Sequence, residues 1–413
     1  MGAPLKNTDK DDILCIMSTR TYDKFDGKSI LIWGYGREGK STERFLQKCA
    51  NPKMVDVFEG KREDIDEDAY DYIIKSPGIV MEGDDPKYTS QTDILLETFK
   101  DRIIGITGTK GKSTTSAMMH HVLADCTDRN VILLGNIGKP CLDYFEDITD
   151  DTIIVFEMSC HQLAHAKESP HVAVFLNLYE EHLDYYHTKE KYFDAKCNIT
   201  RHQSSKDYLF IGDQVPEIKT DAQKTIVSRK GCPDYELMVP GDHNDYNAHV
   251  VFLIATQIYG ANPEAVRRSL KTYEGLPHRL HYIGTKDGIK YYDDSISTIP
   301  NATIEALNAI KDARTVIIGG MDRGIDYNIL IDFIKKHNEY NYLFAYDSGE
   351  RIYKEVKEFS NCIKVDDLEA AVLMAKEITP QGSSCLLSPA AASYGYFRDF
   401  EERGDRFKEM VGL

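Results

Sequence analysis

Short apolar runs rich in β-branched residues recur along the chain, each closed by glycine or a small polar residue and followed by apolar positions at helical spacing. This alternation predicts parallel strands linked by helices that cover both faces of a sheet. The first set of runs occupies residues 30–33, 54–58 and 72–74 and ends near Phe99. A second set begins at Arg102 with 103–106, 131–134, 153–156, 172–176 and 208–211. A third follows Leu276-Pro277 with 289–292, 316–318, 342–345 and 385–387. Residues 204–237 are the least regular and read as strands and loops at the edge of the middle set. At about 150 residues per domain, the 413 residues divide into three α/β domains, expected at 1–100, 101–275 and 276–413.

Composition narrows the class. Apolar residues make up 42% of the chain and charged residues 28%, which excludes a disordered, collagenous or coiled-coil chain. Fifty Lys and Arg against sixty-seven Asp and Glu leave a net charge of −17. The resulting field repels nucleic acid and anionic lipid, so a polyanionic ligand must be held by local basic groups or metal ions. Nine cysteines with no Cys-x-x-Cys pair argue against a disulfide framework or a thiolate zinc site. No apolar run approaches the roughly 18 residues of a membrane span, and the polar stretch from Gly2 to Asp12 is unlike a secretory leader. A soluble cytoplasmic monomer without nucleic-acid or membrane partners is expected.

In open parallel sheets, ligands sit beyond the carboxyl ends of the strands. Two such ends are glycine loops. Gly34-Tyr35-Gly36-Arg37-Glu38-Gly39 follows the first run and precedes a helix expected to open at Lys40-Ser41. Its spacing lets backbone approach a pyrophosphate, or makes a tight structural turn. Glu59 closes the next run, facing a ribose or simply the solvent, and Ser76-Pro77-Gly78-Ile79 closes the third. The second loop, Thr107-Gly108-Thr109-Lys110-Gly111-Lys112-Ser113-Thr114, lies between a strand and a helix expected over 115–123. It is a variant phosphate loop in which glycines free backbone amides, Lys112 reaches terminal phosphates and the Ser113 hydroxyl ligates magnesium. Glu157, Asn136 and the pair Glu181-His182 follow later runs of the same sheet. An acid such as Glu157 suits a hard cation, and His182 is either a functional or a structural histidine. His161, His165, His171 and His187 invite a zinc reading, but only His161 and His165 have ligand spacing, and surface histidines fit better.

The ordered series of Thr107 to Thr114, Gly135-Asn136-Ile137-Gly138, Glu157-Met158-Ser159 with Gln162, and Asn177 to Asp184 followed by Lys196 resembles the Mur ligases. The same order continues through Gly241-Asp242-His243-Asn244 with Asn247, Leu276-Pro277-His278-Arg279, Asp294-Ser295, Gly319-Gly320 with Asp322-Arg323, and Ser388-Pro389-Ala390. Phe400-Glu401-Glu402-Arg403-Gly404 resembles the C-terminal segment of the members that add glutamate to UDP-N-acetylmuramoyl-L-alanine.

The resemblance implies a Rossmann-like N-terminal domain that holds the UDP sugar, with Gly36, Arg37, Glu38, Ser76, Gly78 and Asn136 at that substrate. It implies a P-loop ATPase-like central domain for ATP and two Mg2+ ions. There Gly108, Thr109, Lys110, Gly111, Lys112, Ser113 and Thr114 meet the phosphates, and Asn244 and Asn247 meet the adenine. Metal ligands would be Ser113, Glu157, His182 and Lys196, the last as a carbamate, since an unmodified lysine beside a cation makes no electrostatic sense. Taken without the resemblance, Lys196 reads as an exposed helix lysine and the two asparagines as helix caps. Lys112, Glu157, His182 and Lys196 would be the catalytic set. A Rossmann-like C-terminal domain would supply Arg279 and Asp294 to the nucleotide and Thr298, Arg323, Ser393 and Phe400 to the incoming amino acid. The expected activity is ATP-dependent amide ligation through an acyl phosphate, in peptidoglycan precursor synthesis. Asp294-Ser295-Ile296-Ser297-Thr298 departs from the Asp-Ser-Lys-Ala-Thr usual in D-glutamate enzymes. D-glutamate comes first, with an L-glutamate-adding sister group as the alternative. An NAD-dependent oxidoreductase built on Gly34 to Gly39 would leave Lys112, Ser113 and Glu157 without a role.

Overall fold

The computed structural model describes residues 21–81, 83, 85–135, 139–179, 186, 188–239 and 241–413. The chain forms two compact units, one of residues up to Lys110 with Arg129–Ile226, the other of Gly111–Asp128 with Val227–Leu413. Three largely parallel sheets account for the expected α/β class.

The first unit carries two of them. Strands β1 (Ser29–Trp33), β2 (Met54–Phe58), β3 (Tyr72–Lys75) and β4 (Tyr88–Thr89) form an all-parallel sheet in the order β2-β1-β3-β4. The chain leaves β1 for a neighbour on one side and returns to β3 on the other, so the switch point lies between the carboxyl ends of β1 and β3. Helices α1 (Arg37–Cys49) and α2 (Gln91–Phe99) accompany this sheet. The second sheet contains β5 (Ile103–Thr107), β6 (Val131–Leu134), β7 (Ile153–Glu157), β8 (Val172–Phe175), β9 (Tyr208–Gly212) and β10 (Gln223–Val227) in the order β10-β9-β8-β5-β7-β6. Central β5, β7 and β8 are buried along their whole lengths, which is why they read as unbroken apolar runs. Helices α4 (Cys160–Leu163) and α5 (Lys189–Arg201) follow β7 and β8. One core runs through both sheets: the Phe145 ring lies 4.8 Å from that of Phe45 on α1 and 5.2 Å from that of Phe99 on α2.

In the second unit, α3 (Lys112–Cys126) packs on α6 (Asp242–Gln257) and α7 (Pro263–Lys271). His121 on α3 reaches the Ser269 carbonyl and the Thr272 hydroxyl, each at 3.1 Å, while Ser269 donates to Asp125 at 2.6 Å. The third sheet joins β11 (His281–Lys286), β12 (Ile289–Asp293), β13 (Ala313–Ile318), β14 (Asn341–Phe344), β15 (Cys362–Lys364) and β16 (Ser384–Leu387) in the order β11-β12-β16-β13-β14-β15. Edge strand β11 pairs antiparallel with β12, while the pairings β12–β16, β16–β13, β13–β14 and β14–β15 are parallel. Helices α8 (Pro300–Ala309), α9 (Asn328–Lys336) and α10 (Tyr346–Lys354) bury their apolar positions in one core. Helices α11 (Leu368–Ile378) and α12 (Phe400–Val411) do so in another.

Two helices begin earlier than the apolar spacing predicts, α1 at Arg37 and α3 at Lys112. Periodicity marks buried turns, and both first turns are polar and preceded by glycine at the N-cap. Among the described residues no helix is long and apolar enough to cross a membrane.

Candidate active site

In the first unit, β5 ends at Thr107 and the chain turns through Gly108, Thr109 and Lys110. Asn177, just past β8, grips this turn. Its Oδ1 accepts from the backbone N–H groups of Thr109 (3.1 Å) and Lys110 (2.9 Å), and its Nδ2 donates to the Lys110 carbonyl (2.9 Å). Only an amide side chain can accept and donate in this way. The Thr109 hydroxyl accepts from the Tyr179 N–H at 2.9 Å and lies 3.2 Å from the Tyr192 hydroxyl. Gly108 has φ +154°, and a Cβ there would stand 3.1 Å from the Leu176 side chain, so the close approach needs glycine.

Lys196 is 1% exposed. Its Nζ donates to the Gly108 carbonyl at 2.9 Å, with the Thr107 hydroxyl at 3.5 Å and the Tyr192 ring centre at 4.8 Å. The exposed-lysine alternative is therefore wrong: Tyr192, Ala195, Lys196 and Ile199 share the buried face of α5. Glu157, the buried last residue of β7, sits at the same sheet edge, where the Thr107 hydroxyl donates to the adjacent Met158 carbonyl at 2.8 Å. Gly135, after β6, has φ +124°, and a Cβ there would lie 2.3 Å from the Glu157 carbonyl oxygen. Gln162 completes a capping box with Ser159 at the start of α4, a structural duty for that motif residue. Asn136, Glu181, His182 and His187 lie outside the described residues.

In the second unit, Gly111 caps α3 in the left-handed region at φ +83°, and Lys112, Ser113 and Thr114 form the half-buried first turn. No acidic residue occupies that turn, so the positive end of the helix is uncompensated by a carboxylate of its own. Asn244 and Asn247 are buried one turn apart on α6, with the Asn247 side-chain Nδ2 donating to the Asn244 side-chain Oδ1 at 3.3 Å. The N-cap of α6 is Gly241, so neither asparagine is a cap.

The switch point of the first sheet brings together the described UDP-sugar candidates. Gly36 caps α1, Arg37 is exposed beside it and Glu38 is half-buried, its carboxyl raised by burial against the opposing charges of Arg37 and Lys75. From β3, Ser76 donates its N–H to the Trp33 carbonyl at 2.9 Å and its hydroxyl to the Gly34 carbonyl at 3.1 Å. A Cβ on Gly34 would lie 2.9 Å from the Ser76 hydroxyl, and one on Gly39 would lie 2.1 Å from the Gly34 carbonyl oxygen. Both glycines let loop, turn and helix close on one another, while Gly36 and Gly78 face open space. Glu59 is exposed.

The carboxyl edge of the third sheet is more tightly knit than its motifs suggest. Asp294 accepts from the Leu280 N–H (3.0 Å) and from the hydroxyls of Ser297 (2.6 Å) and Ser388 (2.7 Å). Burial outweighs these bonds and pushes its carboxyl up to about 6. Arg279 is exposed in the preceding loop. Arg323 donates to the Thr298 carbonyl at 3.3 Å, and Met321 bridges to Ala392, which sets the Arg323 and Ser393 loops side by side. The Phe400 carbonyl accepts from the Ser295 hydroxyl at 2.8 Å. Thr298, Arg323 and Ser393 thus stand on neighbouring loops of one edge, and Phe400 opens α12 beside them.

Four residues here carry no role in the sequence reading. Arg403 is 1% exposed on α12 and donates to the Ser295 hydroxyl (2.9 Å) and to the carbonyls of Ser295 (2.7 Å) and Ala391 (3.0 Å), joining the ends of β12 and β16. His278 pairs with Asp293 at 2.6 Å, a contact that holds the imidazole above its usual range. A Cβ on Gly404 would strike both members at 2.2 and 2.3 Å. Arg403 had a signal: with Phe407 and Val411 it completes a spacing of four along one helix face. Asn177 had one too, since it ends a strand run as Glu157 does.

Of the expected ligand set, Glu157 ends β7 and Lys196 lies on the Gly108 carbonyl in the first unit, Ser113 belongs to the second unit, and His182 lies outside the described residues; among the described residues no group of three or more His, Cys, Asp or Glu gathers. His165 follows the end of α4, so the helical spacing that would pair it with His161 is absent. His171 pairs with Asp207 at 2.8 Å.

Comparison with known proteins bears on this arrangement. Residues 106–230 match the Mur ligase middle domain. The chain is 32% identical to the UDP-N-acetylmuramoylalanine–D-glutamate ligase of Lactobacillus acidophilus, over 94% of this chain and 97% of that protein. It is 30% identical to the UDP-N-acetylmuramoyl-L-alanine–L-glutamate ligase of a Micromonospora species, over 93% and 96%. Its fold is similar to that of the MurF ligase of Thermotoga maritima, solved with ADP, at a TM-score of 0.59 and 17% identity, covering 96% of this chain and 99% of that one. With near end-to-end likeness in sequence and three sheets in the expected order, the chain belongs to the Mur ligase family.

Proposed function

We propose that this protein joins glutamate to UDP-N-acetylmuramoyl-L-alanine at the expense of ATP, releasing ADP and phosphate, in the cytoplasmic assembly of a peptidoglycan precursor. One observation carries the reading: the likeness to a UDP-N-acetylmuramoylalanine–D-glutamate ligase spans 94% of the chain. A carboxylate is a poor electrophile in water. Its oxygen first attacks the γ-phosphorus of ATP and ADP departs, leaving an acyl phosphate. The amine of glutamate then attacks the carbonyl carbon, and phosphate leaves with the former carboxylate oxygen as the amide forms and a proton is lost.

The residues divide this work. Backbone N–H groups of the Gly108 to Gly111 loop and of the first turn of α3 receive phosphate oxygens, and the Lys112 ammonium offsets the charge of the transferred group. The buried Glu157 carboxylate and the Ser113 hydroxyl are oxygen donors of the kind a hard cation takes, so they fit magnesium. Two Mg2+ ions would supply further neutralisation of that charge, one on Ser113 and Glu157, one on His182 and a carbamylated Lys196. Carbamylation suits Lys196 because a buried ammonium would oppose a cation at that edge. Asn244 and Asn247 present amides suited to a purine edge. Arg279 faces the nucleotide, and Asp294 holds the adjoining Leu280 backbone. Gly36, Arg37, Glu38, Ser76, Gly78 and Asn136 receive the UDP sugar. Thr298, Arg323, Ser393 and Phe400 receive the amino acid, with Arg323 as the bidentate partner of a carboxylate.

A second reading has its own support. Ile296 stands where D-glutamate enzymes usually carry lysine, and the Micromonospora relative is an L-glutamate ligase. Phosphate release measured with UDP-N-acetylmuramoyl-L-alanine, ATP and either D- or L-glutamate decides between them. Release with D-glutamate supports the first reading, release with L-glutamate alone replaces it with the second, and release with neither refutes both.

A further inference from the structure

The turn that closes β3 is gripped from beneath by a buried lysine. Lys75, the last residue of β3, is 5% exposed. Its Nζ donates to the Ile79 carbonyl at 2.9 Å and to the Ser76 carbonyl at 3.3 Å. Those carbonyls belong to the two ends of one β-turn, Ser76-Pro77-Gly78-Ile79, itself closed by the Ile79 N–H on the Ser76 carbonyl at 3.1 Å. Proline in the second place and glycine in the third suit such a turn. A single ammonium therefore pins both ends.

Removing an ammonium from water is costly, and an apolar residue would fill this strand end without that cost. Burial brings the Lys75 ammonium down to about 8, while the carboxylates of Asp93 and Glu38 favour its charge. Asp93 is itself occupied, accepting from the Lys167 N–H at 3.0 Å and the Ser90 hydroxyl at 2.9 Å. The lysine is thus maintained against its own desolvation at the switch point of the sheet.

Its effect on the turn follows from peptide geometry. In a trans peptide the carbonyl and the next N–H point in opposite directions. With the Ile79 carbonyl drawn onto Lys75, the Val80 N–H is turned to the other side. That side is open: Val80 is exposed, and a Cβ on Gly78 would meet nothing within 4 Å. The start of the turn is fixed to β1 through the Trp33 and Gly34 carbonyls. In a chain of net charge −17, an anionic ligand needs such local donors and a nearby cation.

We infer that Lys75 is a positioning residue for the nucleotide sugar: its ammonium clamps the Ser76 to Ile79 turn so that the outward backbone donors of the turn meet the diphosphate. The inference rests on the UDP-sugar substrate proposed above. Lys75→Met and Lys75→Arg are compared with the wild type by calorimetric titration with UDP and by steady-state kinetics. Lys75→Met should weaken UDP binding at least tenfold and raise the KM for the UDP sugar by a similar factor, with kcat and the KM for ATP within twofold. Lys75→Arg, which keeps the charge, should recover part of the loss. Unchanged UDP affinity in folded Lys75→Met overturns the clamp, as does a fall in kcat alone. A wild type that binds UDP but turns nothing over defeats the proposed reaction, and the UDP titrations still judge the clamp. A wild type that does not bind UDP overturns it. Should Lys75→Met not fold, hydrogen exchange on the wild type decides: UDP-induced protection at Gly78 and Val80 supports the clamp, and none overturns it.

Discussion

Replacing Asn177 by alanine tests whether the phosphate loop is held in shape from the neighbouring strand. Three bonds leave with the side chain, those from the Thr109 and Lys110 N–H groups and that to the Lys110 carbonyl. The Thr109 N–H retains the Asn177 backbone carbonyl at 3.0 Å, so the loss is reckoned on the two bonds to Lys110. Lys110 is exposed and water can reach it, which places each loss near the ordinary net value of about 1 kcal/mol. The ordered loop is then destabilised by about 2 kcal/mol, roughly thirtyfold in its population relative to disordered forms. Since a ligand that needs the ordered form binds in proportion to its population, the apparent Kd for ATP should rise by up to about thirtyfold. Calorimetric titration of ATP into wild type and Asn177→Ala, each checked for folding by circular dichroism, measures it. A Kd within twofold of wild type in a folded variant would refute the reasoning.

Lys112→Ala should lower kcat for ATP-coupled ligation by on the order of a hundredfold or more, as expected for one preorganised electrostatic donor; near-normal turnover would remove Lys112 from the phosphoryl-transfer step. Lys196→Ala should be nearly inactive and regain part of its activity with added acetate, which returns carboxylate oxygens in trans, and full activity without acetate would leave no place for a carbamate. Arg323→Ala should raise the KM for glutamate strongly and leave that for ATP almost unchanged, the pattern of lost binding to one substrate; the reverse pattern would move the amino-acid site elsewhere. The Asp294 carboxyl, raised from 3.8 to about 6, stays protonated in the folded protein while the unfolded chain ionises. Its contribution to stability is therefore full below about pH 4 and lost as pH rises to about 6, in all about 3 kcal/mol. Asp294→Asn should lack that slope in urea unfolding followed from pH 4.5 to 6.5, and an identical slope would contradict the shift.

The strands and the loops at their carboxyl ends were legible because β5, β7 and β8 are buried on both faces and end in glycine or polar residues. The short edge strands β4 and β15 have no apolar run to announce them. Lys196 shows where a polar residue misleads: its charge suggests a solvated face, yet its spacing from Tyr192, Ala195 and Ile199 places it inward. Lys75 gives no such hint, since a strand covered on both sides lacks the alternation that separates inside from outside. Asn177 is visible as a strand-end residue, but its three bonds to the β5 loop join positions 67 and 68 residues apart. Such non-local pairing depends on strand order, which local pattern does not encode. The same holds for α3, whose packing on α6 and α7 joins segments distant in the chain.

The central claim is that a carboxylate is activated by phosphorylation before the amine attacks. It is tested most directly with UDP-N-acetylmuramoyl-L-alanine carrying oxygen-18 in its terminal carboxylate, incubated with the protein, ATP and glutamate. The account predicts that each phosphate released with product carries one labelled oxygen, because the oxygen that attacked phosphorus leaves with it. Product formed alongside unlabelled phosphate would contradict the acyl phosphate.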